Sequence, residues 1–88
     1  MKILVANHWL EKLGGSETFT YTLTGELVRQ GHWVDLFTFR PGKVSERILK
    51  DFGVGTSLDH KYDLVLANHN TTVKKLSNLG YTIHSQQS

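Results

Sequence analysis

A glycine pair near the start of this 88-residue chain has the type and spacing that phosphate chemistry requires. Gly14 and Gly15 follow the apolar run Lys2–Ala6 and precede Ser16 and Glu17, which suit the first turn of a helix. Backbone N–H groups in such a turn can approach a phosphate, and the helix N-terminus adds a favourable field. The same spacing also suits a tight turn with positive φ, so both interpretations stay open.

A second group of polar residues follows a later apolar run, Leu64-Val65-Leu66. His69 in the loop Asn68-His69-Asn70 has the chemistry of an acid, a base or a hydrogen-bond donor, and it equally suits an exposed loop histidine. His84 stands at the end of the last predicted strand, so we expect it at the same edge of a sheet. Trp9 is either an aromatic surface that stacks on a sugar or a hydrophobic lid over its own loop.

Several common sites are not indicated. The dinucleotide fingerprint G-x-G-x-x-G and the P-loop lysine are absent, and Asp35 lies in the middle of a predicted strand rather than at its end. The chain has no cysteine, and its five histidines lack the spacing of a ligand set. We therefore expect neither a metal nor a resident cofactor.

Alternating strands and helices must position these residues. We predict strands at Lys2–Ala6, His32–Phe39, Val54–Leu58, Tyr62–Ala67 and Tyr81–His84. We predict helices at Ser16–Gln30, Ser45–Phe52 and Thr71–Asn78, closed by Gly31, Gly53 and Gly80. The alternation indicates the α/β class.

The predicted architecture is a Rossmann-like wound parallel sheet in three layers, with strand order 3-2-1-4-5. Its switch point lies between the first strand and Tyr62–Ala67, so the loops Asn7–Gly15 and Asn68–Asn70 face one crevice. Residues 1–88 form a single domain in this interpretation. No helix is predicted after the last strand, so the sheet is expected to be incomplete, the front of a longer chain or a surface covered by another chain.

Net charge and hydropathy bear on which partners we expect. A net charge of +2 without a basic stripe does not indicate nucleic acid. No segment approaches the roughly 20 apolar residues of a membrane helix, so any membrane contact is expected to be peripheral and the location cytoplasmic. We expect a two-fold homodimer through the surface of Val73, Leu76, Tyr81 and Ile83. The alternative is that Val54–Leu58 and the C-terminal tail cover that surface.

The motifs resemble those of the N-terminal domain of retaining glycosyltransferases of the GT-B fold, in the glycogen-synthase-like or family-four group. That group reads strand, G-G-x-E, helix with spaced leucines, then G-H-x-V, and a later strand that begins with aspartate. The matching residues here are Met1–Val5, Gly14 to Glu17, Leu23, Leu27, Gly31-His32, Val34, Tyr62–Asn68 and Tyr81–His84. The resemblance extends over nearly the whole chain.

The resemblance implies a function and a role for each site residue. It implies the N-terminal portion of an enzyme that transfers a sugar from a nucleotide-sugar to a sugar or lipid acceptor. Gly14 and Gly15 would contact the donor phosphates, His69 would hydrogen-bond the transferred sugar, and His84 would line the acceptor side. In this fold a second domain supplies most donor contacts, so the 88-residue chain alone is expected to be inactive. The alternative function is a non-catalytic Rossmann-like module that binds an anion or assembles with a partner.

Overall fold

The computed structural model describes residues 1–10, 15–58 and 61–87 and shows an α/β chain with a parallel sheet. Within these residues the strands are β1 (Lys2–Leu10), β2 (Trp33–Pro41), β3 (Leu64–Asn68) and β4 (Ser85–Gln87). The helices are α1 (Gly15–Arg29), α2 (Lys43–Phe52) and α3 (Asn70–Asn78). The sheet has the order β2-β1-β3-β4, and each neighbouring pair is parallel.

β1 is central and buried on both faces, as its continuous apolar run predicts. Successive side chains of a strand point to opposite faces. Ile3 and Val5 belong to a first core cluster, whose other buried members are Val34, Leu36, Val44 and Ile48. Leu4 and Ala6 belong to a second core cluster, whose other buried members are Val65, Ala67 and Leu76. The first cluster thus joins the sheet to α2, and the second joins it to α3.

β1 is longer than predicted. The pairing with β2 continues past Ala6 through Asn7 opposite Thr38 to Leu10 opposite Pro41. A prediction from side-chain hydropathy stops at the first polar residue, whereas ladder hydrogen bonds involve the backbone alone. The first four residues of the predicted loop Asn7–Gly15, from Asn7 to Leu10, are therefore strand.

The predicted edge strand Val54–Leu58 is reduced to one parallel bridge between Asp35 and Gly55. Leu36 donates its backbone N–H to the Gly55 carbonyl at 2.9 Å, and Gly55 donates to Val34 at 3.3 Å. The segment therefore lies against β2 through a single residue.

The last strand is also displaced from its predicted position. Gly80 has a φ of +95° and ends α3, and the N–H of Tyr81 donates to the Leu76 carbonyl at 3.0 Å. The backbone of Tyr81 is thus bonded to the helix end rather than to the sheet. Strand pairing starts later, at Ser85, so the prediction that the strand ends at His84 is wrong.

The surface predicted to form a dimer belongs to the core. Leu76 is fully buried in the second cluster, and Val73, Tyr81 and Ile83 pack against it. Leu58 packs there as well, whereas Val54 of the same predicted segment packs against the first cluster. The residues predicted to form the dimer interface thus pack within the chain, and the dimer stays a prediction. Among the described helices, none has the length and apolar character needed to cross a membrane.

Candidate functional site

The order in which strands are added to the sheet reverses between β1 and β3. The chain leaves β1 through α1 and returns as β2 on one side, whereas β3 lies on the other side of β1. In open α/β sheets the crevice outside the carboxyl ends of such strands is the usual place for a ligand. Asn7 of β1, Asn68 of β3 and His69 lie at or near this edge.

A cavity of about 150 Å³ opens at this switch point. It lies between the first half of α1 and the two strands, and its walls are Val5, Ala6, Phe19, Thr20, Leu23, Leu66, Ala67 and Asn68. The walls are mostly apolar, with one hydroxyl and one carboxamide among them. Asn68 is thus brought to the crevice, as its place after the apolar run predicts.

A buried polar pair fixes α1 against β1 beside this cavity. Asn7 and Thr20 are 1% and 2% exposed, and the Asn7 side-chain amide donates to the Thr20 hydroxyl at 2.6 Å. Thr24, one turn further along α1, is fully buried, and its hydroxyl has no hydrogen-bond partner among the described residues. Sequence reasoning missed this pair, although a polar residue directly after a buried strand is the signal that indicates it.

His69 has an unusual backbone. Its φ of +78° and ψ of +139° are disfavoured for any residue with a side chain. Its ring caps α3, because Nδ1 accepts the N–H of Thr71 at 3.2 Å. With Nδ1 as acceptor, the neutral ring carries its proton on Nε2. The exposed ring therefore has the form of a hydrogen-bond donor at the carboxyl end of β3.

The glycine pair is described in part. Gly15 is the first residue of α1, so its backbone is helical, and Gly14 lies outside the described residues. Trp9 lies in β1, with its backbone opposite Arg40, rather than in the predicted loop.

His84 is not at the carboxyl edge. Its Nδ1 accepts the N–H of Val65 at 2.9 Å, and its own N–H donates to the Val65 carbonyl at 2.9 Å. Val65 is the second residue of β3, so His84 lies level with the first half of that strand. The expected position at the carboxyl edge is wrong because the strand begins after His84 rather than ending there.

Within the part of the chain that the structure describes, no cluster of three or more histidine, cysteine, aspartate or glutamate side chains is placed to hold a metal. Comparisons with protein-family models, curated proteins and solved structures found no match. The functional interpretation therefore depends on the switch-point crevice and on the motifs.

Proposed function

We propose that this chain is the N-terminal portion of a glycosyltransferase that moves a sugar from a nucleotide-sugar to a sugar or lipid acceptor. The observation that carries the proposal is the switch-point crevice, where Asn68 is part of the cavity wall and the strained His69 is the next residue. The parallel sheet and the motifs support it. The proposed architecture is a Rossmann-like, three-layer sheet of order 3-2-1-4-5, in which the segment around Gly55 is the third strand.

Each residue of the crevice has a role in this proposal. Gly14 and Gly15 bring backbone N–H groups to the donor diphosphate at the start of α1. The Nε2–H of His69 donates to a hydroxyl of the transferred sugar, and the Asn68 carboxamide bonds a second polar group. His84 is left out, because its ring is bonded to Val65.

The proposal predicts that the 88 residues alone transfer no sugar, because most donor contacts in this fold come from a second domain. They should still bind the donor weakly. Calorimetry with UDP-, ADP- and GDP-sugars and with the matching nucleoside diphosphates separates the two parts of the donor. One nucleotide-sugar should bind more tightly than its own diphosphate. The His69→Asn variant should lose that difference and keep the diphosphate affinity.

The matched control is His84→Asn, which should bind the nucleotide-sugar like the unaltered chain once its folding is verified. Equal affinity for nucleotide-sugar and diphosphate in the unaltered chain would contradict the role of His69. Sugar transfer by the purified 88-residue chain would contradict the need for a second domain.

The mostly apolar cavity walls favour one alternative, a non-catalytic Rossmann-like module that assembles with a partner chain. In that case inorganic pyrophosphate should bind as well as any nucleotide-sugar, or neither should bind. Adding inorganic pyrophosphate to the calorimetric series therefore separates the two functions.

A further inference from the structure

A second cavity, of about 390 Å³, lies at the opposite edge of the sheet, where β1 and β2 begin. Its walls include Lys2, Trp33, Asp35, Thr56 and Ser57. Ligand pockets usually measure about 300–1,000 Å³, so its volume suits a small molecule. It shares no wall residue with the cavity at the switch point.

The carboxylate of Asp35 is held in one orientation within this cavity wall. Asp35 is 5% exposed. One oxygen accepts the indole N–H of Trp33 at 3.2 Å, and the other accepts the hydroxyl of Tyr62 at 2.7 Å. A carboxylate offers about four acceptor positions, so these two bonds leave capacity for a ligand.

The backbone of Gly55 lies directly against the carboxylate of Asp35. A Cβ on Gly55 would overlap an oxygen of Asp35, so only glycine allows this approach. The bridge between Gly55 and Asp35 thus brings the exposed hydroxyl residues Thr56 and Ser57 to the same cavity.

Trp33 gives the cavity a large aromatic surface. The residue is 64% exposed, although its indole N–H is bonded to Asp35. The ammonium of Lys2 lies 5.9 Å from the Trp33 ring centre and 5.6 Å from that of Tyr62. The cavity wall therefore combines the cation of Lys2, the anion of Asp35 and the exposed ring of Trp33. The charges of Lys2 and Asp35 cancel.

We propose that this cavity binds a neutral sugar ring. The C–H face of a sugar carries partial positive charge and packs on the negative face of an indole. Its hydroxyls can donate to the Asp35 carboxylate and accept from the Lys2 ammonium, and both are charge-assisted bonds. Asp35 repels an anion, and Lys2 already lies beside the rings that would hold an alkylated cation. The site does not depend on the function proposed above, because it uses the other edge of the sheet.

The test is a nuclear magnetic resonance titration of the full 88-residue chain. The indole N–H signal of Trp33 is assigned from its loss in Trp33→Phe. The probes are the methyl glycosides of glucose, mannose and galactose, with tetramethylammonium chloride and inorganic phosphate for comparison. At least one glycoside should move the Trp33 indole signal and the Gly55 amide signal with saturation below about 100 mM.

The exposed side chain of Trp33 allows a variant that keeps the fold. Trp33→Leu should reduce glycoside affinity at least about tenfold, followed at the Gly55 amide, since the stacking surface is lost. Asp35→Asn should have a similar effect if its spectrum shows a folded chain. Lys50→Ala, an exposed change in α2 outside the cavity walls, should bind like the unaltered chain.

Three results would overturn the proposal. The first is the absence of a saturating shift with all three glycosides. The second is unchanged glycoside affinity in Trp33→Leu. The third is saturation by tetramethylammonium or phosphate alone, which would make the cavity a cation or anion site.

Discussion

His69 combines a strained backbone with a capping side chain. A residue other than glycine in this part of φ/ψ space costs about 1–3 kcal/mol, and an N-cap returns about 1 kcal/mol. Such strain persists where the surrounding structure fixes it, and it is concentrated at functional sites. The strain and the exposed ring at the end of β3 are the two observations on which the role proposed for His69 is based.

Replacements of His69 should separate its capping from its chemistry. His69→Ala loses the cap and keeps the strain, so it should lower the free energy of unfolding by about 1–2 kcal/mol. His69→Asn keeps a capping oxygen and tolerates positive φ, so it should change stability by less than about 0.5 kcal/mol. Urea unfolding measures both. Equal destabilisation by the two variants would show that the His69 ring stabilises the fold through contacts other than the capping hydrogen bond.

Gly55 is predicted to be intolerant of any side chain. The Cβ of Gly55→Ala would overlap a carboxylate oxygen of Asp35, which two hydrogen bonds hold in place. The free energy of unfolding should fall by about 1–3 kcal/mol, as in other overpacked sites. Thermal unfolding of Thr56→Ala, an exposed change at the next residue, gives the control and should differ little. An unchanged melting temperature in Gly55→Ala would mean that Asp35 moves freely.

Helix ends were predictable from single residues, whereas strand ends were not. Gly31 has a φ of +90°, its N–H donates to Val28 at 3.0 Å, and the next N–H donates to Leu27 at 3.2 Å. Gly80 ends α3 in the same way, and Gly53 ends α2 with a φ of +64°. These predictions are confirmed because glycine has a direct conformational reason to be there. A strand end has no comparable local determinant.

The limits of β1 and β4 depend on partners that lie far along the chain. The second half of β1 is strand because β2 continues beside it to Pro41. β4 consists of Ser85, Gln86 and Gln87, which carry no apolar pattern, and it forms by pairing with Leu66 to Asn68. The periodicity of side chains within a short window gives no information about either of these pairings.

Gly25 has a packing role in the middle of α1. It is a poor helix former, and a Cβ there would lie 2.6 Å from the ring of Phe52 in α2. Gly25→Ala gains about 1 kcal/mol of helix propensity but forces this ring to move. We expect net destabilisation of about 1–2 kcal/mol by urea unfolding, because Phe52 also packs against Tyr21 with ring centres 4.9 Å apart. Net stabilisation would show that the ring finds another position at little cost.

The last turns of α1 should make stability depend on acid pH. Arg29 donates to both carboxylate oxygens of Glu26, at 2.6 and 2.5 Å, and this lowers the pKa of Glu26 below its ordinary 4.5, with Gln30 adding to the effect. A lowered folded-state pKa stabilises the fold above the unfolded pKa, and this contribution is lost as pH falls through the folded value. Arg29→Ala should therefore destabilise the chain near neutral pH and less near pH 3. Urea unfolding measures the difference in free energy of unfolding between Arg29→Ala and the unaltered chain. An equal difference at both pH values would contradict a stabilising ion pair.

For the molecule as a whole, the sequence correctly indicated the α/β class. It also predicted that Asn68 and His69 lie near the switch point. This was possible because apolar runs indicate buried strands and single glycines indicate helix ends. It did not predict the buried contact between Asn7 and Thr20 or the cavity around Trp33 and Asp35. Both depend on the register between elements, which brings together residues 13 positions apart in the first case.

We propose that the expected homodimer forms through the surface around Phe19 rather than through the second cluster. Phe19 is 43% exposed, and it lines the switch-point cavity together with the half-buried Leu66. Phe19→Ser should shift the mass by light scattering toward the monomer at micromolar concentration. Ile83→Lys should instead destabilise the fold, since Ile83 packs on the second cluster. A monomeric mass in the unaltered chain would contradict the dimer.

The most direct test of the proposed function is to map where a nucleotide-sugar contacts the chain. Backbone amide shifts of the ¹⁵N-labelled protein should be followed with the tightest binder of the calorimetric series. We expect the largest shifts at the switch-point crevice, at Asn7, Thr20, Asn68 and His69. Shifts confined to the amino edge around Trp33 and Gly55, or no saturating shift at all, would contradict it.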